Sequence, residues 1–247
     1  MSPWPFPRWI AHRGAGRLAP ENTLAAFRAG AAHGYRAFEC DVKLSADGVP
    51  FLLHDATLQR TTNARGVAAE RPWAELSRLD AGGWHSRAFA GEPLPSLEAI
   101  VRFCQAGGHA LNIELKPSPG QEAQTGQVVA EACTRLRRGP DPWTAPLLFT
   151  SFRPEALHAA KQAAPQIPRG LLLDTLWTGW QAVADALDAV AVVTHFNLMD
   201  RALANALHAA GRRALCYTVN DPSVADWLLA AGVDGLITDA VDRLAPG

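Results

Sequence analysis

Two histidines, His12 and His54, and three carboxylates, Glu39, Asp41 and Glu114, are the side chains best placed by the sequence to do chemistry. The apolar run Trp9 to Ala11 meets His12-Arg13-Gly14 with no polar transition, the pattern of a short buried strand that ends in a titratable group and a permanent cation. His54 closes a second apolar run and is followed by Asp55. A lone histidine at a strand end is ordinarily a hydrogen-bonded structural residue. Two of them, each beside a charged neighbour, suit a general acid and a general base near neutral pH. Glu39 and Asp41 stand two apart in Phe38-Glu39-Cys40-Asp41-Val42, and Glu114 and Lys116 stand two apart in Asn112-Ile113-Glu114-Leu115-Lys116. Side chains at that spacing share one face of a strand. Carboxylates on an inner face are costly unless paired or metal-bound. Three of them at one mouth form a hard, oxygen-rich site for a single Mg²⁺, Ca²⁺ or Mn²⁺ ion, whereas zinc asks for Cys or His. Buried ion pairs, Glu39–Lys43 or Glu114–Lys116, are the competing arrangement. Arg13 offers a two-pronged fork for phosphate or carboxylate, and its alternative is a rim ion pair with Glu21. Phe152 and Tyr217 fall at or just past strand ends, where they wall a pocket or pack as ordinary core residues. His33, His158 and His208 lie in helical segments and are expected to face solvent.

Something must hold these groups together. Short apolar runs alternate with Ala- and Leu-rich helical segments along the whole chain. Strands are expected at Trp9–His12, Ala37–Leu44, Pro50–His54, Ala110–Lys116, Leu147–Ser151, Gly170–Leu173, Ala191–Asn197, Arg213–Val219 and Leu236–Asp239. Helices are expected at Asn22–His33, Leu97–Gln105, Gln121–Arg138, Pro154–Ala164, Gln181–Leu187, Ala202–Ala210 and Pro222–Ala231. With Pro50–His54 set aside as half of a hairpin, the remaining strands number eight. Strands buried on both faces and separated by helices imply a parallel sheet. Eight such units in 247 residues fit an α/β fold of the closed (β/α)8 TIM-barrel type better than an open sheet. No G-x-G-x-x-G follows the first strand, against a dinucleotide site. The segment Ala56–Pro95 breaks the rhythm: it is polar, carries Trp73, Trp84 and Phe89, and is too long for an ordinary loop. It reads as a small insertion after the second strand, over the catalytic mouth, within a single domain spanning residues 1–247.

Composition narrows the partners. Formal net charge is −1 and no Lys/Arg cluster stands out, so nucleic acid is not expected as a partner. Hydrophobic residues make up 48%, which excludes a disordered chain. Cys40, Cys104, Cys133 and Cys216 form no C-x-x-C pair and read as buried free thiols. No apolar run approaches the roughly 20 residues of a membrane span. Met1-Ser-Pro-Trp-Pro-Phe-Pro7 lacks the basic and apolar regions of a signal peptide, so a cytoplasmic location is expected.

Taken in order, these residues resemble the glycerophosphodiester phosphodiesterase family. The matching pieces are His12-Arg13-Gly14 with Ala19-Pro20-Glu21-Asn22-Thr23, Glu39-Cys40-Asp41-Val42, His54-Asp55, Leu58-Gln-Arg-Thr-Thr62, Leu79-Asp-Ala-Gly-Gly-Trp84 and Gly91-Glu-Pro-Leu-Pro95. They continue with Asn112-Ile-Glu-Leu-Lys-Pro117, Tyr217-Thr-Val-Asn220 and Asp234-Gly-Leu-Ile-Thr-Asp239. Any one piece is weak; the series, from Trp9 to Leu244, is specific. The resemblance implies a (β/α)8 barrel and metal-dependent hydrolysis of a small-molecule glycerophosphodiester to an alcohol and sn-glycerol 3-phosphate. It implies Glu39, Asp41 and Glu114 as ligands of one divalent cation, His12 and His54 as the catalytic pair, and Arg13 and Lys116 on the phosphate, with Glu21 and Asn112 in support. Tyr217 departs from a tryptophan common in the family, and bears only on the shape of the glycerol pocket. Rival readings are a phospholipase D of the sphingomyelinase D type, a metal-independent phosphoinositide phospholipase C and a non-catalytic binding module. Intact histidines, an intact acidic triplet and scattered cysteines weigh against them. The head-group alcohol, the native metal, the division of labour between the histidines, the nature of the nucleophile and the oligomeric state are not encoded legibly.

Overall fold

A computed structural model describes residues 4–138 and 142–244. The chain runs β1 (Trp9–Ala11), α1 (Leu24–Ala32), β2 (Ala37–Leu44), β3 (Pro50–Leu52), α2 (Trp73–Leu76), α3 (Leu97–Gly107), β4 (Ala110–Leu115), α4 (Glu122–Arg138) and β5 (Leu147–Ser151). It continues through α5 (Pro154–Ala163), β6 (Arg169–Leu173), α6 (Trp180–Ala186), β7 (Ala191–His195), α7 (Arg201–Ala209), β8 (Arg213–Tyr217), α8 (Pro222–Ala231) and β9 (Gly235–Thr238). Neighbouring strands follow the order β1-β9-β8-β7-β6-β5-β4-β2-β3, and β1 also pairs with β2. Eight strands therefore close a parallel barrel, and β3 is the antiparallel return of a hairpin on β2. The sequence expectation for Pro50–His54 holds in kind, and the eight-stranded barrel is the one expected.

Alternation along each strand separates two cores. Phe38, Cys40, Val42 and Leu44 of β2 join the apolar layer between barrel and helices. Ile10, Ala37, Ala110, Leu148, Val193, Leu215 and Ile237 fill the barrel's interior, with Phe6 packed against them. Trp4 stacks on Phe6 at 5.2 Å between ring centroids, so the N-terminal segment plugs one end. The other end, above this apolar floor, is where the inward-facing positions turn polar: Glu39, Asp41 and Lys43 on β2, Asn112 and Glu114 on β4, Thr150 on β5. This is the C-terminal end of the strands, where barrels carry chemistry.

Helix ends follow local chemistry. Thr23, Ser96, Asp200 and Asp221 each accept a hydrogen bond from a backbone N–H of the first turn they precede, and Pro222 follows Asp221. Gly34, Gly211 and Gly232, with φ of 88°, 75° and 104°, stand where α1, α7 and α8 stop.

Residues 56–95 form a compact insertion with its own small apolar cluster of Leu58, Ala68, Leu76, Ala81 and Leu94, anchored on Phe51 and Leu53. The short helix α2 within it was not foreseen, because a single turn carries too little periodicity to read. The four cysteines are free and buried, as their neighbours implied. No helix among the described residues is long and apolar enough to cross a membrane. The leader reading falls partly on Met1–Pro3, which lie outside the described residues.

Candidate active site

Strand register brings the expected residues together. Glu39 pairs with Asn112 and Asp41 with Glu114 across β2 and β4, and Glu114 with Thr150 across β4 and β5. Glu39, Asp41 and Glu114 present carboxylate oxygens that all lie within 4.8 Å of one another. Two oxygens that share one ion at about 2.0–2.6 Å can be no further apart than roughly that. Glu39 and Asp41 are 3% and 1% exposed. Oε1 of Glu39 and Oδ1 of Asp41 are buried with no hydrogen-bond donor. Such orphan oxygens carry a desolvation cost that a cation would remove. Burial, and then the charges of Asp41 and Glu114, push the Glu39 carboxyl up to about 8. Burial works on Asp41 in the same sense, but Arg13, then Lys116, His54 and Asn22 hold it well below the usual carboxylate range. Three hard oxygen donors, short of positive charge, fit a Mg²⁺- or Ca²⁺-like ion, and no Cys or His joins them to suit zinc.

Resident cations partly compensate the cluster. Lys116 Nζ donates to Glu114 Oε1 at 2.8 Å and lies 3.3 Å from Asp41 Oδ1. Arg13 Nη1 donates to Glu21 Oε1 at 2.8 Å, and its Nε lies 3.2 Å from Asp41 Oδ2. The expected pairs Glu114–Lys116 and Arg13–Glu21 are thus present. Glu39–Lys43 is not: Lys43 Nζ donates to the carbonyls of His54 and Lys116, both at 3.1 Å, and so ties the two loop starts together. Burial lowers the Lys43 ammonium to about 8.

Each histidine is held by a carboxylate. His12 Nδ1 lies 2.6 Å from Asp239 Oδ1, and His54 Nδ1 lies 2.7 Å from Asp55 Oδ1. An ionised carboxylate only accepts, so the proton sits on Nδ1 and leaves Nε2 free for chemistry. His12 Nε2 is 3.8 Å from Glu39 Oε2. Both rings line one cavity of about 180 Å³ together with Glu39, Glu114, Lys116 and Asn112. Phe152 and Tyr217 wall it and meet edge to face at 5.7 Å. Burial lowers His12, but the bond to Asp239 and the charge of Glu39 outweigh it, so its pKa is raised. In His54 burial prevails over Asp41, and its pKa is lowered.

Several contributors were not assigned roles from sequence. Asp239 follows β9 and reaches His12 because the last strand pairs with the first. Asn220 Oδ1 accepts from the Asp239 backbone N–H at 2.8 Å and fixes that loop. Asn22 Nδ2 donates to Asp41 Oδ2 at 2.8 Å. Arg60 of the insertion clamps Glu21 and Asp55 together with bonds of 2.7 to 2.9 Å. Arg13 and Asn22 adopt positive φ, 52° and 59°, a strained backbone that aims both inward. Gly16 lies so close to Asp239 that a Cβ would stand 2.1 Å from its Cα. Asn112 spends its Oδ1 on the Thr150 hydroxyl at 2.9 Å, and its buried Nδ2 has no acceptor. His33 and His158 are exposed as expected. His208 is not, because its Nε2 pairs with Asp234 Oδ2 at 2.7 Å.

The family model of the glycerophosphoryl diester phosphodiesterase family matches residues 12–243. The chain belongs to that family. It is a phosphodiester hydrolase on a (β/α)8 barrel. A glycerophosphodiester phosphodiesterase of Caldanaerobacter subterraneus subsp. tengcongensis is 31% identical over 241 residues, covering 95% of each chain. Among solved structures, an Oleispira antarctica phosphodiesterase in complex with the product sn-glycerol-3-phosphate superposes with a TM-score of 0.91 at 36% identity, over 97% of this chain and 95% of that one. A glycerophosphodiester phosphodiesterase of Agrobacterium tumefaciens gives 0.80 at 30% identity, over 96% and 98%. Phosphodiesterase relatives along the full barrel accord with the side chains that the register gathers at its mouth.

Proposed function

We propose that this phosphodiesterase hydrolyses glycerophosphodiesters to an alcohol and sn-glycerol 3-phosphate, with His12 and His54 as its acid–base pair and Glu39, Asp41 and Glu114 as its cation ligands. The observation that carries the reading is the juxtaposition of two carboxylate-oriented histidines, in one cavity with Glu39 and Glu114, and a three-carboxylate cluster in which Glu39 and Asp41 each keep a buried oxygen without a hydrogen-bond donor. A divalent ion of the Mg²⁺ or Ca²⁺ type would act there as a Lewis acid toward a non-bridging phosphate oxygen.

The chain's own groups do the rest. His54, its pKa lowered, stays neutral at Nε2 and takes a proton from the attacking water. His12, its pKa raised, delivers a proton from Nε2 to the departing alkoxide as the P–O bond breaks. Asp239 and Asp55 keep each ring oriented and stabilise its charged form. Arg13 and Lys116 pair with Asp41 and Glu114 in this structure, and are close enough to turn to the phosphate once a cation engages those carboxylates. Glu21 steadies Arg13, while Asn112, Phe152 and Tyr217 shape the cavity. The balanced charge and the absence of a spanning helix among the described residues suit a cytoplasmic protein acting on a small diester rather than on nucleic acid. The chain works as one domain, with 56–95 an insertion at the rim.

The test is turnover of glycerophosphocholine before and after exhaustive dialysis against EDTA. Activity should vanish and return with added Mg²⁺ or Ca²⁺. Undiminished turnover after dialysis would remove the metal from the mechanism.

A further inference from the structure

The cavity shared by the histidines and the acidic cluster holds about 180 Å³. That is below the roughly 300 Å³ at which small-molecule sites begin. It has room for the phosphoryl group and one small arm, and the other arm of a diester must extend beyond. Two chambers adjoin it. One, about 470 Å³, lies toward the first and last strands and the insertion, with Arg17, Glu21, Trp84, His85 and Asp239 on its walls. The other, about 450 Å³, opens between the ends of β4, β5 and β6, and is walled by Lys116, Phe152, Arg153, Leu172, Asp174 and Trp177.

The second chamber carries an unusual pair of charges. Arg153 and Asp174 are both exposed and both line it. Neither has an ion-pair partner among the described residues, and they do not close on each other. Lys116 and Glu114, the other charges there, are bonded together at 2.8 Å. Among the hydrogen bonds of the described residues Arg153 enters only through its backbone N–H, which donates to the Ser151 hydroxyl at 3.0 Å, and not through its guanidinium. Asp174 receives only a 3.4 Å contact from the Thr175 hydroxyl. The chamber thus offers one free cation and one free anion beside an aromatic ring, Trp177, itself 37% exposed. A neutral glycerol arm needs neither charge. A choline or ethanolamine arm would use Asp174 and meet Arg153 as a like charge. An arm that carries an ammonium and a carboxylate on one carbon would use both.

Resting on the phosphodiesterase reading above, we propose that this chamber receives the alcohol half of the substrate and favours an amino-acid head group, the serine ester of sn-glycerol 3-phosphate. Asp174 takes the ammonium, and the fork of Arg153 takes the carboxylate. Arg153 and Asp174 are then specificity-determining residues, remote from the breaking bond.

The test compares kcat/KM on glycerophosphoserine, glycerophosphoethanolamine and glycerophosphoglycerol for the wild type, Arg153→Gln and Asp174→Asn. Each charged hydrogen bond at a part-exposed site corresponds to about a tenfold loss when removed. Arg153→Gln should lose about that factor on glycerophosphoserine alone. Asp174→Asn should lose it on both ammonium substrates and spare glycerophosphoglycerol. Equal losses on all three diesters would mean that the chamber holds the common glycerol phosphate, and would overturn the assignment. So would unchanged selectivity in both variants. Wild-type turnover without any preference for the serine ester would overturn this inference and leave the hydrolytic reading standing; no turnover of any diester would overturn both.

Discussion

Replacing Asp239 by Asn tests the link between barrel closure and proton transfer. The substitution keeps the size of the side chain and removes the charge opposite His12 Nδ1, 2.6 Å away. A charge-assisted hydrogen bond of this kind contributes about 1.5–3 kcal/mol. At about 1.4 kcal/mol per decade of rate, kcat should fall between roughly tenfold and 150-fold. KM should move little, because Asp239 does not line the central cavity. The pH profile supplies the sharper readout. Burial lowers the His12 pKa, and the Asp239 bond and Glu39 charge raise it above 6.5. With a cation engaging Glu39, Asp239 is the principal group left to keep the ring protonated. A general acid is lost as pH rises through its pKa, so the alkaline limb of the wild-type kcat profile follows His12. In Asp239→Asn burial prevails, and that limb should move to lower pH. Steady-state kcat on glycerophosphocholine between pH 5 and 9 would be the assay. An unchanged kcat, or a reduced one with the alkaline limb in place, would refute the assignment of His12 as acid and Asp239 as its support.

The acidic cluster should show itself without turnover. Saturating Mg²⁺ or Ca²⁺ should raise Tm, by about 2.7 kcal/mol of stabilisation at a hundredfold excess over Kd, and Glu39→Gln should abolish that rise while leaving the metal-free protein no less stable; a Tm indifferent to both ions would argue against the site. Gly16→Ala should lower stability by at least about 2 kcal/mol in urea unfolding, because its φ is +55° and the new Cβ would stand 2.1 Å from Asp239 Cα. None of the four thiols should react with Ellman's reagent in the native protein and all four should react in denaturant, since all are buried and burial pushes Cys133 and Cys216 up to about 12; a fast-reacting thiol would contradict the packing.

Interior elements were legible because burial leaves a pattern that neighbours in sequence share. β2 at Ala37–Leu44, β5 at Leu147–Ser151 and α8 at Pro222–Ala231 have the bounds that their residues suggest. Expected strands overran at Trp9–His12, Ala110–Lys116, Ala191–Asn197 and Arg213–Val219. In each the backbone leaves the ladder at its C-terminal end, and at the first two it does so to present a site residue, His12 or Lys116. The acidic triplet and both histidines were readable from period-two spacing and strand ends. Their partners were not: Asp239 is 227 positions from His12, and Arg60 is 39 from Glu21. Such contacts follow from closure and from how the insertion folds back, which no local window encodes. Trp84 lines the rim chamber, while Phe89 packs against the core and meets His85 edge-on at 5.4 Å. His208 looked like a surface residue because its partner, Asp234, sits on the neighbouring strand connection.

Pairing of β1 with β9 joins the two ends of the chain. During synthesis the cation ligands on β2 and β4 emerge in the first half of the chain, whereas the His12–Asp239 couple cannot exist until the last strand has left the ribosome and docked. Contacts of such sequence separation form late because the loop entropy must first be overcome. A nascent or truncated chain ending before Gly235 would therefore collect its carboxylates and lack an oriented acid, so an unfinished barrel is impaired toward its substrate. Catalytic competence is in this sense a proofreading mark of completed folding, and the appearance of turnover in a refolding experiment should track the docking of β9 rather than the earlier collapse of the core.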